Sequence, residues 1–460
     1  MDLSRRALLA GSASSVAVGL IPSAGIAAGP ARRPNVVFIM ADDLGYADVG
    51  CYGQRAFATP AIDALAARGV RLTQGYANSA VCSATRTALI TGRYQYRLRI
   101  GLEEPVSGEG GEIRLPAGHP TMPSLFKRLG YRTALVGKWH LGMGEGIGPN
   151  VHGYDHFFGI PAGGADYFTH RLSLKPTPAD SLYLNERTIE RPGYLTDLLG
   201  DEAARWIGEA GNAPFFLSLH FTAPHWPWEA PGDEAASRDR TDLMDRDRGD
   251  LATYGKMVES MDANIAKVTA ALDRLGLADD TIVVFTSDNG GERFSDTWPF
   301  TGVKGELLEG GLRVPLIVRW PARIKAGGTS EQVMTSMDFL PTLLAAAGGK
   351  PDPKFPSDGE NLLPVLAGAA PVRSRKLFWR FKGAEQAALR DGDWKYLKLG
   401  GKEHLFDLAA DVRERAERKD RDPERFARMK AEWAAWNATM LPYPAKSNTY
   451  EVRTVDADRY

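Results

Sequence analysis

The stretch Asn35-Val36-Val37-Phe38-Ile39-Met40-Ala41-Asp42-Asp43 is the most informative part of this chain about its architecture. Its residues from Asn35 to Met40 form a continuous apolar run, which is typical of a strand buried on both faces in a parallel sheet. Two aspartates follow where the strand ends. Because ligand sites in open α/β sheets lie beyond the carboxyl ends of the strands, the stretch predicts a central strand and a polar site at its end.

Four more apolar runs predict further strands of the same sheet. They lie at residues 133–136, 215–219, 281–286 and 316–318. Helices are predicted at residues 59–69, with Thr59 as the N-cap residue, and at residues 257–275 and 338–347. Strands that alternate with helices favour an α/β fold with a large mixed, mostly parallel sheet flanked by helices.

The C-terminal part of the chain has a different pattern, in which short strands follow one another without helices between them. These strands are predicted at residues 376–380, 386–390, 394–399 and 404–407, before a closing helix at residues 423–439. This order favours a smaller C-terminal antiparallel sheet plus one helix. The predicted domains are a large domain at residues 34–365, a small α+β subdomain at 366–445 and a tail at 446–460. Two polar or glycine-rich stretches, 159–194 and 229–250, are predicted to be loops.

The net charge and the N-terminal segment indicate which partners and which cellular compartment to expect. The chain of 460 residues has 56 Lys and Arg against 57 Asp and Glu, a formal net charge of -1, so no nucleic-acid or anionic-membrane partner is expected. Residues 1–28 combine Arg5 and Arg6 with a short apolar region and small residues up to Ala28. This pattern predicts a twin-arginine signal peptide and a periplasmic or secreted protein. The apolar region is too short to span a bilayer, so no stable membrane insertion is expected.

Cysteine usage leaves two interpretations open. The chain contains Cys51 and Cys82, and no zinc-ligand spacing surrounds them. In an oxidising compartment an even pair of cysteines is compatible with a disulfide. The alternative is that Cys82 has a chemical role of its own.

The sequence around Cys82 predicts a helix. Residues 84–90 are compatible with helix, Gly92 stands at the position of a C-cap, and Cys82 would open the first turn. A helix N-terminus favours anions, and Arg86 would lie on the same face as Cys82. A nucleophile at an anion site is one interpretation, and a buried structural thiol is the other.

Five further polar clusters stand where strands are predicted to end. They are Asp42-Asp43, Lys138-Trp139-His140, His225, Asp288-Asn289 and Lys304. Trp139 would anchor its loop in the core and direct the two neighbouring polar side chains the other way. The clusters and Cys82 are predicted to meet in one crevice at the edge of the sheet.

Asp42, Asp43, Asp288 and Asn289 together supply three carboxylates and one amide oxygen. Hard divalent cations such as Ca²⁺ select this set of oxygen ligands. Both adjacent aspartates can reach one ion only where the strand has ended and the backbone curves. Each pair taken alone is equally compatible with a turn or a helix cap.

Lys138, His140, His225 and Lys304 each have a plain structural interpretation. Lysines are usually solvated, and a single histidine is more often a hydrogen-bonded structural residue than a catalyst. The chain has only eight histidines, however, and two of them stand within these clusters. Their concentration there favours a catalytic site.

The ordered set of clusters resembles the sulfatase family. Cys82-Ser83-Ala84-Thr85-Arg86, followed by Thr91-Gly92-Arg93, is similar to the family signature, with Ala84 where proline is usual. The resemblance covers all six clusters in the family's order, over residues 34–348. The C-terminal strands also resemble the family's small domain, and the spacing looks closest to arylsulfatases and N-acetylgalactosamine-6-sulfatases.

The resemblance implies a cofactor set and a maturation partner. Cys82 would be oxidised to formylglycine by a formylglycine-generating enzyme, and it would join Asp42, Asp43, Asp288 and Asn289 around one Ca²⁺ ion. Residues placed around the sulfate would be Arg86, Lys138, His140, His225 and Lys304. The family commonly has one more polar residue near residues 159–166, where this chain has no serine or threonine.

The resemblance also implies a reaction, the hydrolysis of a carbohydrate or aryl sulfate monoester. One hydroxyl of the hydrated aldehyde would attack sulfur, with Asp288 taking its proton. His225, with Lys304, would protonate the departing alcohol. His140 would then remove the proton of the second hydroxyl, so that the aldehyde re-forms and sulfate leaves.

Two other functions stay open. One is a phosphodiesterase or phosphonate monoester hydrolase of the same superfamily, alkaline phosphatase-like in its fold. The other is a protein that binds sulfated glycans without catalysis, with Cys82 unmodified or joined to Cys51.

Overall fold

A ten-stranded mixed sheet forms the centre of the structure, a computed structural model that describes residues 33–107, 113–142, 144, 146–171, 182–240, 242 and 246–452. The predicted signal peptide lies outside these residues. Within them, no helix has both the length and the apolar character needed to cross a membrane. The domain boundaries proposed from the sequence stay predictions.

The strands of the large sheet lie in the order β11-β2-β10-β9-β1-β8-β4-β5-β6-β7. Their bounds, with those of the small pair β3 and β12, are β1 Asn35–Ala41, β2 Val70–Leu72, β3 Gly75–Tyr76, β4 Arg132–Gly137, β5 His156–Gly159, β6 Leu182–Leu184, β7 Arg187–Ile189, β8 Phe215–His220, β9 Thr281–Ser287, β10 Leu316–Arg319, β11 Gly328–Ser330 and β12 Met334–Thr335.

The centre of the sheet is parallel, as the apolar runs predict. β1 pairs in parallel with β9 on one side and with β8 on the other, and β8 pairs in parallel with β4. Every residue of β1 is buried, because helices cover both faces of the sheet. Side chains of β1 alternate between two cores, with Val37 and Ile39 in one and Val36 and Phe38 in the other.

Antiparallel pairs lie on both sides of this parallel centre, although the edge strand β11 pairs in parallel with β2. β10 pairs antiparallel with β9, so the loop between them starts and ends at the same sheet edge. At the other border, β6 and β7 form a hairpin inside the stretch predicted to be a loop. That prediction was wrong for these residues because Asn185 adopts a positive φ of 55°, which permits a tight turn between two short strands.

Helices cover both faces of the sheet. Those that contribute buried residues to the first core are α1 Pro60–Ala67, α4 Leu195–Gly208 and α6 Leu251–Arg274. Those on the second core are α2 Cys82–Thr91, α3 Met122–Arg128, α8 Phe339–Ala346 and α9 Leu363–Leu366. Two short helices, α5 Glu234–Arg238 and α7 Glu309–Leu312, lie in loops. The predicted helices at residues 59–69, 257–275 and 338–347 are thereby confirmed, with shifted ends.

A separate four-stranded antiparallel sheet follows, in the order β13-β14-β15-β16. Its strands are β13 Lys376–Phe381, β14 Gln386–Asp391, β15 Trp394–Leu399 and β16 Lys402–Asp407, and α10 Pro423–Asn437 closes the unit. Met429 of α10 packs with Leu389, Tyr396 and Leu405 of the sheet. The predicted antiparallel sheet plus one helix is confirmed.

Candidate active site

Four adjacent strands end level at one edge of the large sheet, and functional side chains follow each end. In the pairing register, Ala41 lies beside Ser287, Met40 beside His220, and His220 beside Gly137. The residues that come next along the chain are Asp42-Asp43, Asp288-Asn289, Phe221 to His225, and Lys138 to His140. The predicted crevice at the strand ends is therefore the place where these clusters meet.

Lys304 reaches the same edge by a different route. It lies in the loop between β9 and β10, before a strand that runs antiparallel to its neighbour. The start of an antiparallel strand lies beside the end of the strand it pairs with. Lys304 thus joins the cluster without following a parallel strand.

The backbone turns sharply at Asp43. Its φ is 63°, a left-handed conformation that aspartate tolerates better than most residues. The Asp43 amide donates to Asp288 Oδ1 at 3.3 Å, which ties the ends of β1 and β9 together. This turn places two adjacent carboxylates on the same side, as the cation hypothesis requires.

Arg86 of α2 contacts several members of the cluster. Its Nε and one terminal nitrogen donate to Asp288 Oδ2 at 3.0 and 2.8 Å, and the other terminal nitrogen donates to the Lys138 carbonyl at 3.0 Å. The same guanidinium lies 3.9 Å from Asp42 Oδ1. α2 begins at Cys82 and ends at Gly92 with a left-handed cap, both as predicted.

Two lysines neutralise the two aspartates after β1. Lys138 Nζ donates to Asp42 Oδ2 at 2.5 Å, and Lys304 Nζ donates to Asp43 Oδ2 at 2.6 Å. Asn289 donates through Nδ2 to Asp43 Oδ1 at 2.7 Å. These five side chains are at most 2% exposed, so the charges interact with little screening by water.

Both histidines have a defined tautomer, because each donates to a carbonyl oxygen. His225 Nδ1 donates to Trp226 O at 2.5 Å, and its Nε2 lies 3.6 Å from Asp43 Oδ2. His140 Nε2 donates to Val106 O at 2.9 Å, and its Nδ1 has no partner among the described residues. Each ring therefore keeps one nitrogen available for proton transfer.

The predicted cation ligands leave oxygen atoms without partners. Within the described chain, Asp42 Oδ1 and Asn289 Oδ1 are buried and accept no hydrogen bond. Asp42, Cys82 and Asp288 offer ligand atoms that all lie within 4.8 Å of one another, and so do Asp42, Asp43 and His225. A buried oxygen without a donor is costly, so this donor set fits a hard divalent cation.

Burial and neighbouring charges shift the pKa values of Asp42 and Asp43 in opposite directions. Burial, with the like charge of Asp288, raises the pKa of Asp42 well above its ordinary value despite Lys138. Burial also opposes ionisation of Asp43, but Lys304 and His225 outweigh it and hold the pKa of Asp43 below its ordinary value. Asp42 is thus the carboxylate that a bound cation would stabilise most.

The histidines and Cys82 are held in uncharged forms. Burial, aided by Lys138, lowers the pKa of His140 well below its ordinary value, and burial with Lys304 does the same for His225. Burial raises the pKa of the Cys82 thiol to about 11. A thiol with this pKa is protonated at neutral pH and is a poor nucleophile.

The stretch where one more polar residue was sought packs against both imidazoles. A Cβ on Gly163 would lie 2.7 Å from His140 Nε2, and a Cβ on Gly164 would lie 3.2 Å from His225 Cε1. The backbone approaches the rings too closely for a side chain at Gly163. Residues 159–166 therefore pack against the two imidazole rings and supply no serine or threonine hydroxyl group.

Sequence reasoning missed Glu292. Its Oε2 lies 3.7 Å from Lys304 Nζ, and the residue is buried. The only signal in the sequence is its position shortly after the Asp288-Asn289-Gly290 turn. The hydrogen-bond partner of His140, the carbonyl of Val106, gives no signal in the sequence because any residue type has a carbonyl.

Asp48 and the two cysteines lie outside the hydrogen-bonded cluster described above. Asp48 is buried and accepts from Ser295 Oγ at 2.6 Å and from Tyr254 Oη at 2.5 Å. Cys51 and Cys82 are both free, so the structure contains no disulfide between them.

The sequence model of the sulfatase family matches residues 34–349. A second model, described as N-sulphoglucosamine sulphohydrolase, C-terminal, matches residues 304–425. Steryl-sulfatase of Mus musculus is 33% identical, covering 85% of this chain and 74% of its own. Arylsulfatase A of Homo sapiens is 35% identical, covering 76% of this chain and 71% of its own.

A solved structure shares both the fold and part of the sequence. It is Ps i-CgsB in complex with k-i-k-neocarrahexaose, with a TM-score of 0.82 and 30% identity over 91% of this chain and 95% of that chain.

Proposed function

Because the chain belongs to the sulfatase family, whose members hydrolyse sulfate esters, we propose that it cleaves carbohydrate or aryl sulfate monoesters with a formylglycine made from Cys82 and one Ca²⁺ ion. The observation that carries this proposal is the close approach of Asp42, Cys82 and Asp288, whose ligand atoms lie within 4.8 Å of one another. This arrangement gives residue 82 a place directly beside a set of cation ligands.

Asp42, Asp43, Asp288 and Asn289 would hold the cation. Two unpartnered oxygens, Asp42 Oδ1 and Asn289 Oδ1, support this assignment. When bound, the cation would stabilise negative charge on the sulfate and on the attacking oxygen.

Conversion of Cys82 to formylglycine would replace a thiol that is a poor nucleophile in this buried site. The buried thiol has a pKa raised to about 11, so it would supply little thiolate at neutral pH. A formylglycine hydrate carries two hydroxyl groups on one carbon. One can attack sulfur, and loss of the proton from the other breaks the carbon–oxygen bond to the bound sulfate and re-forms the aldehyde.

The surrounding side chains would divide the proton transfers and the charge stabilisation. Arg86 would orient residue 82 from one turn along α2, and Lys138 and Lys304 would stabilise the sulfate oxygens. Asp288 would accept the proton of the attacking hydroxyl. His225 would act together with Lys304, whose ammonium group would supply the proton for the leaving alcohol, and His140 would take the proton of the second hydroxyl through Nδ1.

Glycan sulfates are the substrate class that we propose to test first. The solved structure that matches 91% of this chain holds a neocarrahexaose, and relatives include an N-acetylgalactosamine-6-sulfatase. Steryl-sulfatase is similar to this chain as well. A panel of sulfated oligosaccharides, aryl sulfates and steroid sulfates would rank these classes by kcat/KM.

We also propose export by the twin-arginine route, which rests on Arg5, Arg6 and the small residues that follow. A fusion of residues 1–33 to a reporter that folds in the cytoplasm should be exported. Replacing both arginines by lysine should retain the reporter inside the cell.

One experiment tests the nucleophile. Mass spectrometry of the peptide that contains residue 82, from protein made in its native host, should show an aldehyde in place of the thiol. Cys82→Ala should abolish hydrolysis of 4-nitrophenyl sulfate while circular dichroism and thermal unfolding stay unchanged, and Cys51→Ala is the matched control with full activity. Turnover by Cys82→Ala, or faster cleavage of bis(4-nitrophenyl) phosphate than of the sulfate ester, would contradict the proposal.

A further inference from the structure

We propose that residues 448–450, which we call the C-terminal strap, complete the active site, and that Tyr450 is a positioning residue for Lys304. The inference rests on the proposed function, because it assumes that Lys304 acts on the sulfate ester. It assigns a role in the site to a segment that the sequence places in a tail beyond the small subdomain.

Tyr450 covers the ammonium group of Lys304. Lys304 Nζ lies 5.1 Å from the centroid of the Tyr450 ring, within the range of a cation–π interaction. The hydroxyl of Tyr450 binds Glu292 Oε1, and Glu292 Oε2 lies 3.7 Å from the same Lys304 nitrogen. Arg246 donates to the Tyr450 hydroxyl at 2.6 Å and to Glu292 Oε1 at 3.3 Å. The aromatic ring and the carboxylate therefore fix Lys304 from two sides.

The strap is held by main-chain pairing with Glu104 and by a side-chain contact with Glu103. The Glu104 amide donates to Asn448 O at 3.2 Å, and the Tyr450 amide donates to Glu104 O at 2.5 Å. Glu104 and Thr449 form a parallel bridge. The Asn448 amide also donates to Glu103 Oε2 at 2.6 Å. Tyr450 is thus placed by backbone geometry and not by its side chain alone.

The strand partner of the strap continues directly into the catalytic cluster. The carbonyl of Val106 accepts from His140 Nε2 at 2.9 Å, and the amide of Val106 donates to Ser83 Oγ at 2.7 Å. Ser83 is the neighbour of Cys82. The strap therefore braces His140 through residues 103–106 and Lys304 through Tyr450.

Gly305 gives independent support for a close fit. A Cβ on Gly305 would lie 2.7 Å from Tyr450 Cδ1 and 2.7 Å from Val452 Cγ2, and the residue has a φ of 86°. The backbone at Gly305 therefore packs so closely against Tyr450 and Val452 that no side chain fits at position 305. Lys304 is 2% exposed under this cover.

The expected consequence is that the strap excludes water from Lys304 and keeps its ammonium directed toward Asp43. A cation–π contact in a desolvated site adds to this orientation. Without the ring, the lysine would gain freedom and hydration, and its interaction with the developing charge of the transition state would weaken.

The test compares Tyr450→Ala, Tyr450→Phe and, as a matched control, Tyr396→Phe. Tyr396 also donates its hydroxyl to a carboxylate, Glu403, but lies in the small sheet. One readout is the rate at which acetic anhydride labels Lys304, measured by peptide mass relative to exposed Lys256. The other is kcat and KM for 4-nitrophenyl sulfate, with unfolding curves for each variant.

Tyr450→Ala should raise labelling of Lys304 by at least about threefold and lower kcat by about tenfold or more, because the cover is lost. Tyr450→Phe keeps the ring, so labelling should match wild type and kcat should lie between the two. Tyr396→Phe should match wild type in both readouts. Equal labelling of Lys304 in wild type and Tyr450→Ala, or an unchanged kcat in Tyr450→Ala, would overturn the inference.

The two proposals fail in different ways. A wild-type protein that cleaves no sulfate ester would contradict the proposed function. The labelling comparison would still decide whether the strap covers Lys304, because acetylation of a lysine does not depend on turnover.

Discussion

Arg86 shows at the residue scale why one side chain cannot be exchanged for another of the same charge. Its planar fork donates twice to Asp288 while its remaining nitrogen donates to the Lys138 carbonyl. A lysine has one nitrogen and cannot make all three bonds in this geometry. Since Arg86 is 2% exposed, water cannot replace a lost donor.

Arg86→Lys should therefore lower kcat/KM for a sulfate ester by at least about tenfold, because Asp288 and the Lys138 carbonyl lose their common hydrogen-bond donor. Arg97→Lys is the matched control. Arg97 also donates through Nε and a terminal nitrogen to an aspartate, Asp358, at 2.7 and 2.7 Å, but its side chain is 28% exposed and lies outside the cluster. Steady-state kinetics of both variants give the comparison, and equal losses would contradict a specific role for Arg86.

Glu104 makes stability depend on pH. Burial raises the pKa of this carboxyl from an ordinary 4.5 to about 8, although Tyr443 Oη and the Lys382 amide donate to it. The unfolded chain releases this proton near the ordinary value, whereas the folded chain keeps it until about pH 8. The contribution of Glu104 to stability is therefore fully present below pH 4.5 and is lost as the pH rises through 8.

Glu104→Gln should flatten the pH dependence of the free energy of unfolding between about pH 5 and pH 8, because the amide does not ionise. Each unit of pKa difference corresponds to about 1.4 kcal/mol, so the change in slope is measurable by urea unfolding at several pH values.

Glu202→Gln is the control, because folding lowers the pKa of Glu202 whereas it raises the pKa of Glu104. Burial opposes ionisation of Glu202, but Arg205 and His156 lower its pKa to about 2, so it is ionised in both states across this range. Its replacement should reduce stability without changing the slope above about pH 6. A Glu104→Gln protein with the wild-type slope would show that this carboxyl does not titrate as expected.

At the scale of the element, α1 shows how a distant residue takes over a local role. The sequence predicts Thr59 as the N-cap residue, and the helix does follow it, but the Thr59 side chain makes no cap hydrogen bond. Its Oγ1 accepts instead from the Gly50 amide at 2.8 Å. The main-chain amides of Ala61 and Ile62, in the first turn of the helix, donate to Asp262 of α6 at 3.0 and 2.8 Å. The cap of α1 thus comes from a helix 200 residues farther along the chain.

Asp262→Ala should lower the free energy of unfolding by about 1–2 kcal/mol, because two amides at the start of α1 lose their acceptor. Asp273→Ala tests an aspartate in the same helix with an exposed side chain, and we expect it to change stability by less than about 0.5 kcal/mol. Equal losses in urea unfolding would mean that the cap contributes nothing specific.

At the scale of the whole molecule, a buried charge network joins the small sheet to the loop that carries Lys304. Lys395 of β15 is fully buried, and its Nζ lies 2.9 Å from Glu309 Oε1 and 2.8 Å from Glu414 Oε1. Glu309 opens α7, a few residues after Lys304. The position of the loop therefore depends on the small sheet.

Lys395→Met should destabilise the protein by about 3–5 kcal/mol, because Glu414 would stay buried without its cation and Glu309 would be left with Arg313 as its cation. Lys398→Met is the matched control on the same strand, since Lys398 pairs at 3.2 Å with a solvent-exposed Glu385. It should change the free energy of unfolding by less than about 1 kcal/mol. Chemical unfolding of both variants separates the two cases, and equal stabilities would refute the role of the buried network.

The architecture and most members of the site follow from local patterns in the chain. A strand as apolar as β1 is after Asn35 has only one environment that avoids exposure, the centre of a helix-covered parallel sheet. Polar residues placed at the ends of such strands must then meet at one edge, so Asp42, Asp288 and Lys138 were predictable from local pattern. The small antiparallel sheet followed in the same way from short strands joined by turns.

The groups that surround Lys304 and His140 depend instead on how distant segments pack together. Glu292, the carbonyl of Val106 and Tyr450 act through proximity to Lys304 or His140, and the segments that bring them there are far apart in the chain. Main-chain donors and acceptors are common to all residue types, and a single tyrosine near a terminus has no distinctive pattern. Sequence periodicity reports the face that a residue presents to its own element, whereas the partner across a contact is set by how the elements pack.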